Sequence, residues 1–217
     1  MATITTYTEL VDAVTEYLGR DQDTTLIARI PTFIQLSEAK FNRTLFVRQM
    51  EERSTALIDT ASDEPEFVSL PSDFQSMRRI RLSSVTGKPC LAFRTGVQMD
   101  EIRYSNANNT GRPQYFTIMG SEIELLPTPD DAYTVEMVYR KNVPGLQANS
   151  TNWLLTLAPD AYLYGALLEA SPYLKNDARI QVWAAGFSNA IDGLNNLGMT
   201  SAFNAGPMQM RVSGVTP

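Results

Sequence analysis

The spacing of apolar residues changes twice along this chain, and this change constrains the fold more than any other feature. Towards both ends, apolar residues recur every three or four positions, as in amphipathic helices. From about Glu52 to Arg140 they recur at every second position between frequent turn residues, as in β-strands. Because the two patterns occupy separate stretches, the sequence predicts an α+β fold.

The first helical segment carries signals at both of its ends. Thr6 and Glu9 are spaced as in a capping box, in which each side chain accepts a hydrogen bond from the other residue's backbone N–H group. Gly19 suits the position just after a helix. We therefore expect a helix over residues 7–18, with an apolar face of Leu10, Val11, Val14 and Leu18.

Pro31 indicates where the next long helix begins. Inside a helix a proline removes a hydrogen bond and clashes with the preceding turn, whereas the first turn accepts it. A short helical piece is expected before it, over residues 24–29. The helix after Pro31 has an apolar face that requires a partner surface, formed by Phe33, Ile34, Phe41 and Leu45.

Seven segments of the middle region have the alternation and composition of strands. Gly120 and Ser121 separate two of them and predict a tight hairpin. Residues 105–113 are too polar to pack and are expected to form a loop. The seven segments are Ser54–Ile58, Phe67–Leu70, Met77–Ser83, Pro89–Phe93, Tyr115–Met119, Glu122–Leu126 and Tyr133–Arg140. In the last of them, one face is formed by Tyr133, Val135, Met137 and Tyr139.

Helical signals return near Asn152. Pro159 suits a helix start and leads into the nearly uncharged segment Ala161–Ala170, after which Ser171-Pro172 predicts a break or kink. A last helix is expected over about residues 177–197, ended by Gly198.

These segments predict a division of the chain. Residues 1–51 and 150–197 are expected to form one helical bundle, and residues 52–149 an inserted, mainly antiparallel β region. Residues 198–217 are expected to form an extended C-terminal tail. The sequence fits a disordered end and an arm that folds on a neighbour equally well, the second because of the strand-like alternation of Met208, Met210 and Val212.

The composition excludes several kinds of chemistry. The chain has no histidine, which excludes Ser-His-Asp and Cys-His nucleophile arrangements and the usual zinc and iron ligand sets. With one cysteine, Cys90, it forms no intramolecular disulfide, and we expect this residue to be a small apolar side chain at a strand start. We expect no signal peptide and no membrane span, since no basic-then-apolar leader and no long uncharged apolar run occurs.

Carboxylate pairs are the remaining candidates for catalysis, because a glycosidase needs only an acid and a base or nucleophile. None of them has a sequence context that would shift its pKa towards that role. The candidates are Glu9 with Glu16, Glu38, Glu51 with Glu52, and Asp160 with Glu169. Thr86-Gly87-Lys88 resembles the end of a phosphate-binding loop, but Pro89 replaces the magnesium-binding Ser or Thr and the first glycine is missing. We therefore expect a structural protein without catalytic residues, cofactor or metal.

Met77–Leu82 contains the one dense group of basic residues. As a strand it places Arg79 and Arg81 on one face and Ile80 and Leu82 on the other. Together with Arg78, this pair is a candidate contact for an acidic partner or for DNA, although a solvated strand face explains it as well. The net charge of −6 disfavours DNA binding by the chain as a whole.

Three strings resemble the head–tail adaptor proteins of tailed bacteriophages. They occur in that family's order, cover most of residues 7–195 and leave the segment beyond Leu197 uncovered. The strings are Ile30–Arg43, Leu70-Pro71-Ser72-Asp73-Phe74, and Asn152–Leu155 followed by Pro159–Ala170.

This resemblance implies a virion protein of the neck, made in the host cytoplasm. Members form a ring, commonly twelvefold, beneath the portal; the ring extends the DNA channel, without sequence-specific binding of the DNA, and docks the tail nozzle or fibres. In some relatives a C-terminal arm reaches along the portal. The matching arm residues here would be Met199, Phe203, Met208, Met210, Arg211 and Val212.

Two other functions stay open at this point. One is a phage cell-wall hydrolase of the carboxylate-based glycosidase type. The other is a cytoplasmic DNA-binding module that uses Arg78, Arg79 and Arg81.

Overall fold

A computed structural model describes residues 3–58, 60–61, 63–105, 109–174 and 179–203. The fold is mixed α+β, with helices and two sheets. In chain order its elements are α1 (Tyr7–Leu18), α2 (Thr24–Ile27), α3 (Ile30–Thr44), a 3-10 turn (Arg48–Met50), β1 (Glu51–Leu57), β2 (Phe67–Ser69), β3 (Phe74–Leu82), β4 (Ala92–Phe93), α4 (Gly96–Ser105), β5 (Tyr115–Met119), β6 (Glu122–Leu126), β7 (Thr134–Lys141), α5 (Leu146–Asn149), α6 (Trp153–Leu157), α7 (Pro159–Leu174) and α8 (Ile180–Phe203).

The described residues separate into two compact units. Residues 3–50 with 143–203 form a helical unit, and residues 51–142 form a β unit. No helix in the described part of the chain is both long and apolar enough to cross a membrane.

The first helix begins and ends where the sequence predicts, whereas α2 ends at Ile27, two residues before its expected end. The Thr6 side chain accepts a hydrogen bond from the Glu9 N–H, and the Glu9 carboxylate accepts one from the Thr6 N–H, which confirms the capping box. Gly19 follows α1 with φ of 66°, a conformation that glycine adopts without strain. Pro31 lies in the first turn of α3, as expected.

One apolar core in the helical unit contains side chains from both ends of the chain. Phe41 of α3 lies within it, packed edge-on against Tyr162 of α7 at 4.9 Å and stacked on Phe187 of α8 at 5.8 Å between ring centroids. Leu10 and Val14 contribute the buried face of α1. Segments distant in sequence are therefore held together by the same buried surface.

The last two helices are longer than the sequence predicts. Of the predicted break or kink at Ser171-Pro172, the break is wrong, because α7 continues to Leu174 and contains Pro172; the kink stays a prediction. The missing N–H group of Pro172 leaves one intrahelical hydrogen bond unmade, the one to the carbonyl of Leu168 in the preceding turn.

The predicted end of the last helix at Leu197 is also wrong, since α8 continues to Phe203. Gly198 does not end this helix. A Cβ atom there would lie 3.2 Å from the Phe46 carbonyl oxygen and 3.2 Å from Val47, so the glycine permits close packing. Residues 199–203, expected in the tail, are helical.

The β unit contains two sheets. One has the order β1-β7-β3 and is antiparallel; the other has the order β2-β6-β5-β4, antiparallel except for the parallel pair β4–β5. Gly120-Ser121 forms the predicted hairpin between β5 and β6, with Gly120 at φ of 59°. Both sheets contribute to one core, which includes Val135, Met137 and Tyr139 on the predicted face of β7.

A helix inside the β unit was not expected from the sequence. α4 buries only Met99, and its Val97 and Tyr104 are exposed, so no apolar stripe predicts it. Its Arg103 pairs with the buried Glu124 of β6. This ion pair joins residues distant in sequence and, with the buried Met99, holds α4 against the β unit.

Candidate partner-binding surface

Several acids considered for catalysis hold structural positions. Glu9 accepts backbone hydrogen bonds from Thr5 and Thr6, which lower its pKa to about 2. Asp160 lies in the first turn of α7, where a negative charge is favourable. Three further candidates form ion pairs: Glu51 with Arg78, Glu52 with Lys141, and Glu169 with Lys40.

Glu38 is the candidate acid whose pKa is raised. Its carboxylate accepts a hydrogen bond from the Leu146 N–H at 2.7 Å and lies 3.4 Å from the Tyr162 hydroxyl. Burial raises the pKa of Glu38, against the lowering effect of these two hydrogen bonds. The carboxylate acts as the N-terminal cap of α5, whose own cap residue, Gly145, has no side chain.

Within the described residues, no group of three or more potential ligands is placed to hold a metal ion. Cys90 is exposed, so the expected role as a buried apolar side chain is wrong. Its backbone forms an isolated β-bridge with Arg81 of β3.

Glu136 forms ion pairs with three arginines of the β unit. It lies on β7, with a side chain only 4% exposed, on the face opposite Val135 and Met137. Arg81 of β3 contacts it at 2.6 Å, Arg53 of β1 at 3.3 Å and Arg79 of β3 at 3.9 Å. A buried carboxylate is costly unless it is paired, and these three guanidinium groups provide that pairing. We call Arg53, Arg79, Arg81 and Glu136 the arginine face.

The structure separates the three arginines that the sequence grouped. Arg79 and Arg81 lie together on the arginine face, opposite the buried Ile80 and Leu82, as the alternation predicts. Arg78 is the extra residue of a β-bulge between Met77 and Arg79, and it pairs with Glu51 at 3.0 Å.

Sequence reasoning missed Arg53 and Glu136. Each lies at an ordinary position of a strand pattern, and they meet only because β1 and β3 flank β7 with Thr55 and Arg81 both opposite Glu136. The one available signal was an acidic residue within an otherwise apolar strand segment.

A groove of about 600 Å³ runs beside the first half of β3. Its apolar lining includes Ile80, Leu91 and Phe116 of the core, and Phe93 lies at its mouth with 57% of its surface exposed. Phe93 packs edge-on against Phe116 at 5.6 Å between ring centroids. We call this cavity the β3 groove.

The residues expected in the portal-binding arm are only partly described. Met199 is exposed on α8, and Phe203 is the last residue of that helix. Met208, Met210, Arg211 and Val212 lie outside the described residues. Their role stays a prediction, as does the contact of Arg78, Arg79 and Arg81 with DNA or an acidic partner.

Comparison with known proteins identifies the family. No curated protein matches the chain. The model of the SU10 adaptor protein family matches residues 5–211, which extends past the segments that carry the resemblance and beyond the end of α8. This match spans nearly the whole chain, and the chain therefore belongs to the SU10 adaptor protein family, a family of phage head–tail adaptors.

Proposed function

We propose that this protein forms a ring beneath the portal of a tailed phage, where it extends the DNA channel and docks the tail nozzle or fibres. Membership of the adaptor family implies a structural, non-enzymatic protein of the virion neck that interacts with portal and tail proteins. The family match over residues 5–211 is the observation that carries the proposal.

A ring follows from one contact between unlike surfaces of neighbouring copies, repeated by a fixed rotation until it closes. The helical unit offers exposed apolar side chains for such a contact, among them Tyr17, Phe46 and Val182. We propose a ring of twelve copies in which the helical units contact one another. The net charge of −6 suits a lumen through which DNA slides without specific binding.

We assign the contact with the portal to a C-terminal arm, because the family match continues to residue 211, beyond α8. The alternating Met208, Met210 and Val212 suit a strand that is added to a sheet of the portal. We assign the contact with the tail to the β unit.

Truncation after Phe203 tests the arm, because it removes residues 204–217 and leaves α8 intact. We expect the truncated protein to keep its circular dichroism spectrum and thermal transition, and to lose cosedimentation with portal-bearing heads. Met208→Ser, Met210→Ser and Val212→Ser in combination should have the same effect, whereas Gln209→Ser, at an alternate position, should not. Unchanged binding of the truncated protein would contradict the arm assignment.

Electron microscopy of heads incubated with the protein tests the ring. We expect density with rotational symmetry directly beneath the portal. Dye release from labelled peptidoglycan by the purified protein would instead support the hydrolase alternative, which no geometry among the described acids favours.

A further inference from the structure

We propose that helix α4 of one copy docks into the β3 groove of a neighbouring copy, so that the β units form a head-to-tail contact in the ring. The inference rests on the proposed ring and adds a contact to the one between the helical units. The rest of the β unit stays available for the contact with the tail. Two surfaces of matching chemistry, on opposite faces of one sheet, carry the inference.

One side of α4 is exposed and presents both apolar and acidic side chains. Four residues recur there at i, i+3, i+4 and i+7, the spacing that places side chains on one side of a helix: Val97, Asp100, Glu101 and Tyr104. Tyr104 is 95% exposed and Val97 is 70% exposed. Exposed apolar side chains that form a group mark contact sites. We call these four residues the α4 stripe.

Local interactions order α4 before any partner binds. The Gln98 N–H donates to the Thr95 hydroxyl at 3.4 Å and the Thr95 N–H donates to the Gln98 side chain at 3.2 Å, as in a capping box. Met99 and the ion pair of Arg103 with Glu124 hold the helix against the β unit. Because the α4 stripe lies on an ordered element, its binding loses less conformational entropy than that of a loop.

The β3 groove has the complementary chemistry. Its volume of about 600 Å³ is within the usual range of ligand sites, and its apolar lining includes Leu91, Phe93 and Phe116. Arg78 and Arg79 also line it, and their side chains are at least half exposed although each pairs with a glutamate of the β unit. Burial of the Tyr104 ring against this lining would supply about 25 cal/mol per Å² of apolar surface.

Charge favours the same pairing. The α4 stripe contributes two carboxylates, and the groove contributes two guanidinium groups. Their existing partners are held by weakly shielded surface pairs: Arg78 lies 3.0 Å from Glu51, and Asp100 lies 3.2 Å from Arg103. Exposed pairs of this kind contribute at most about 1 kcal/mol, so an additional carboxylate from a neighbouring copy competes with them at little cost.

The two surfaces lie on opposite faces of the sheet β2-β6-β5-β4. Phe116 and Ile118 of β5 line the groove, whereas Thr117 between them lies opposite Glu124, the residue that pairs with Arg103 of α4. Successive residues of a strand point to opposite faces, so α4 and the groove are on different sides of this sheet. The contact therefore joins unlike surfaces of two copies, and such a contact closes into a ring when it is repeated by a fixed rotation.

Cross-linking of the full-length protein bound to portal-bearing heads tests the contact. Cys90 is the single cysteine of the chain and lines the groove, so Tyr104→Cys creates a pair of thiols that a short bis-maleimide can join. We expect a ladder of covalent dimers, trimers and larger multimers in denaturing gel electrophoresis. The parent protein, Tyr104→Cys combined with Cys90→Ser, and Leu57→Cys at an exposed position of β1 should give no ladder.

Charge reversal in the Tyr104→Cys protein provides a second test. One variant carries Asp100→Lys and Glu101→Lys, and the other carries Arg78→Glu and Arg79→Glu. Each variant alone should give at least about tenfold less ladder, because like charges then meet across the contact. An equal mixture of the two should restore it, since the basic helix of the first variant meets the acidic groove of the second.

Ring density beneath the portal without a ladder would overturn this inference and leave the proposed function intact. Cross-linked products that stop at dimers would also overturn it, because they indicate a symmetric contact between like surfaces. So would an undiminished ladder from both reversed variants, given thermal transitions that match the parent. Absence of ring density beneath the portal would contradict the proposed function and this inference together.

Discussion

Glu136 takes part in three ion pairs that differ in how strongly water screens them. The Arg81 side chain is 25% exposed and makes the shortest contact, whereas that of Arg53 is 67% exposed. Ion pairs at exposed sites contribute at most about 1 kcal/mol, since solvent and salt weaken them. The more buried pair compensates most of the desolvation of the Glu136 carboxylate.

We therefore predict that Arg81→Met lowers the free energy of unfolding by about 3 kcal/mol, because it leaves the buried Glu136 carboxylate with only the two more exposed arginines as ion-pair partners. Arg53→Met, the matched control on the other flanking strand, should lower it by less than about 1 kcal/mol. Urea denaturation monitored by circular dichroism measures both. Equal losses would mean that burial does not distinguish the two arginines.

Only part of this cluster was accessible from the sequence. The placement of Arg79 and Arg81 opposite Ile80 and Leu82 is local, because strand alternation alone determines it. The meeting of Arg53 with Glu136 depends on which strands pair and in which register, and both are set by contacts between distant segments.

Glu38 is a second residue for which burial matters, in this case through its pKa. Burial raises its pKa in the folded protein above the ordinary value of 4.5. The folded state therefore retains this proton to a higher pH than the unfolded state, so ionisation of Glu38 lowers stability as the pH rises through that range.

Glu38→Gln should remove this dependence. We expect the unfolding free energy of the variant minus that of the parent to increase between about pH 4 and pH 7, starting as the pH passes the unfolded value of 4.5. Glutamine keeps an acceptor for the Leu146 N–H, and the tyrosine that lies close by, Tyr162, stays neutral because its own pKa is raised. Denaturation curves at several pH values give the difference, and a constant or falling difference would contradict the prediction.

Two glycines of α8 lie in different surroundings. At Gly186 an added Cβ atom would lie 2.9 Å from Cδ2 of Tyr164, so this glycine lets α7 and α8 approach closely. At Gly193 an added Cβ atom would meet no atom within 4 Å. In an exposed helical position, glycine is less favourable than alanine by up to about 1 kcal/mol.

The two substitutions should therefore have opposite signs. Gly193→Ala is expected to raise the unfolding free energy by about 0.5–1 kcal/mol. Gly186→Ala is expected to lower it by about 1 kcal/mol or more, because overpacking outweighs the helical gain. Thermal denaturation of the two variants, seven residues apart in one helix, provides the comparison. A stabilising Gly186→Ala would show that the Tyr164 ring moves at little cost.

Local chemistry predicted several helix starts and the end of α1 at Gly19, but not the ends of α7 and α8. Thr6 with Glu9, Pro31 and Pro159 mark three starts by local chemistry. Gly198 resembles an end signal, yet tertiary packing against Phe46 and Val47 uses it inside α8. No amphipathic pattern predicts α4, which contacts the β unit through the buried Met99 and through the ion pair of Arg103 with Glu124.

At the scale of the whole molecule, the two apolar cores contain separate sets of residues. The helical core joins α1 and α3 to α7 and α8, and the β core joins the two sheets. The change of hydrophobic period along the sequence reflects this separation, because each core is lined by one kind of secondary structure. Adaptor function benefits from such separation if one unit maintains a ring while the other contacts the tail.

Separate cores lead to a prediction about residues 51–142, roughly 90 residues and thus within the usual size of a domain. β1 and β7 pair with Glu51 opposite Arg140, so the two ends of this segment meet and its excision breaks no strand. We expect the excised segment to fold alone, with dispersed amide signals in its NMR spectrum and one cooperative thermal transition. The control is the same segment with Ile123→Asp, which places a charge in the β core and should abolish both signatures. If the unchanged segment behaves like this control, the β unit depends on the rest of the chain, and docking through it must be coupled to the fold of the helical unit.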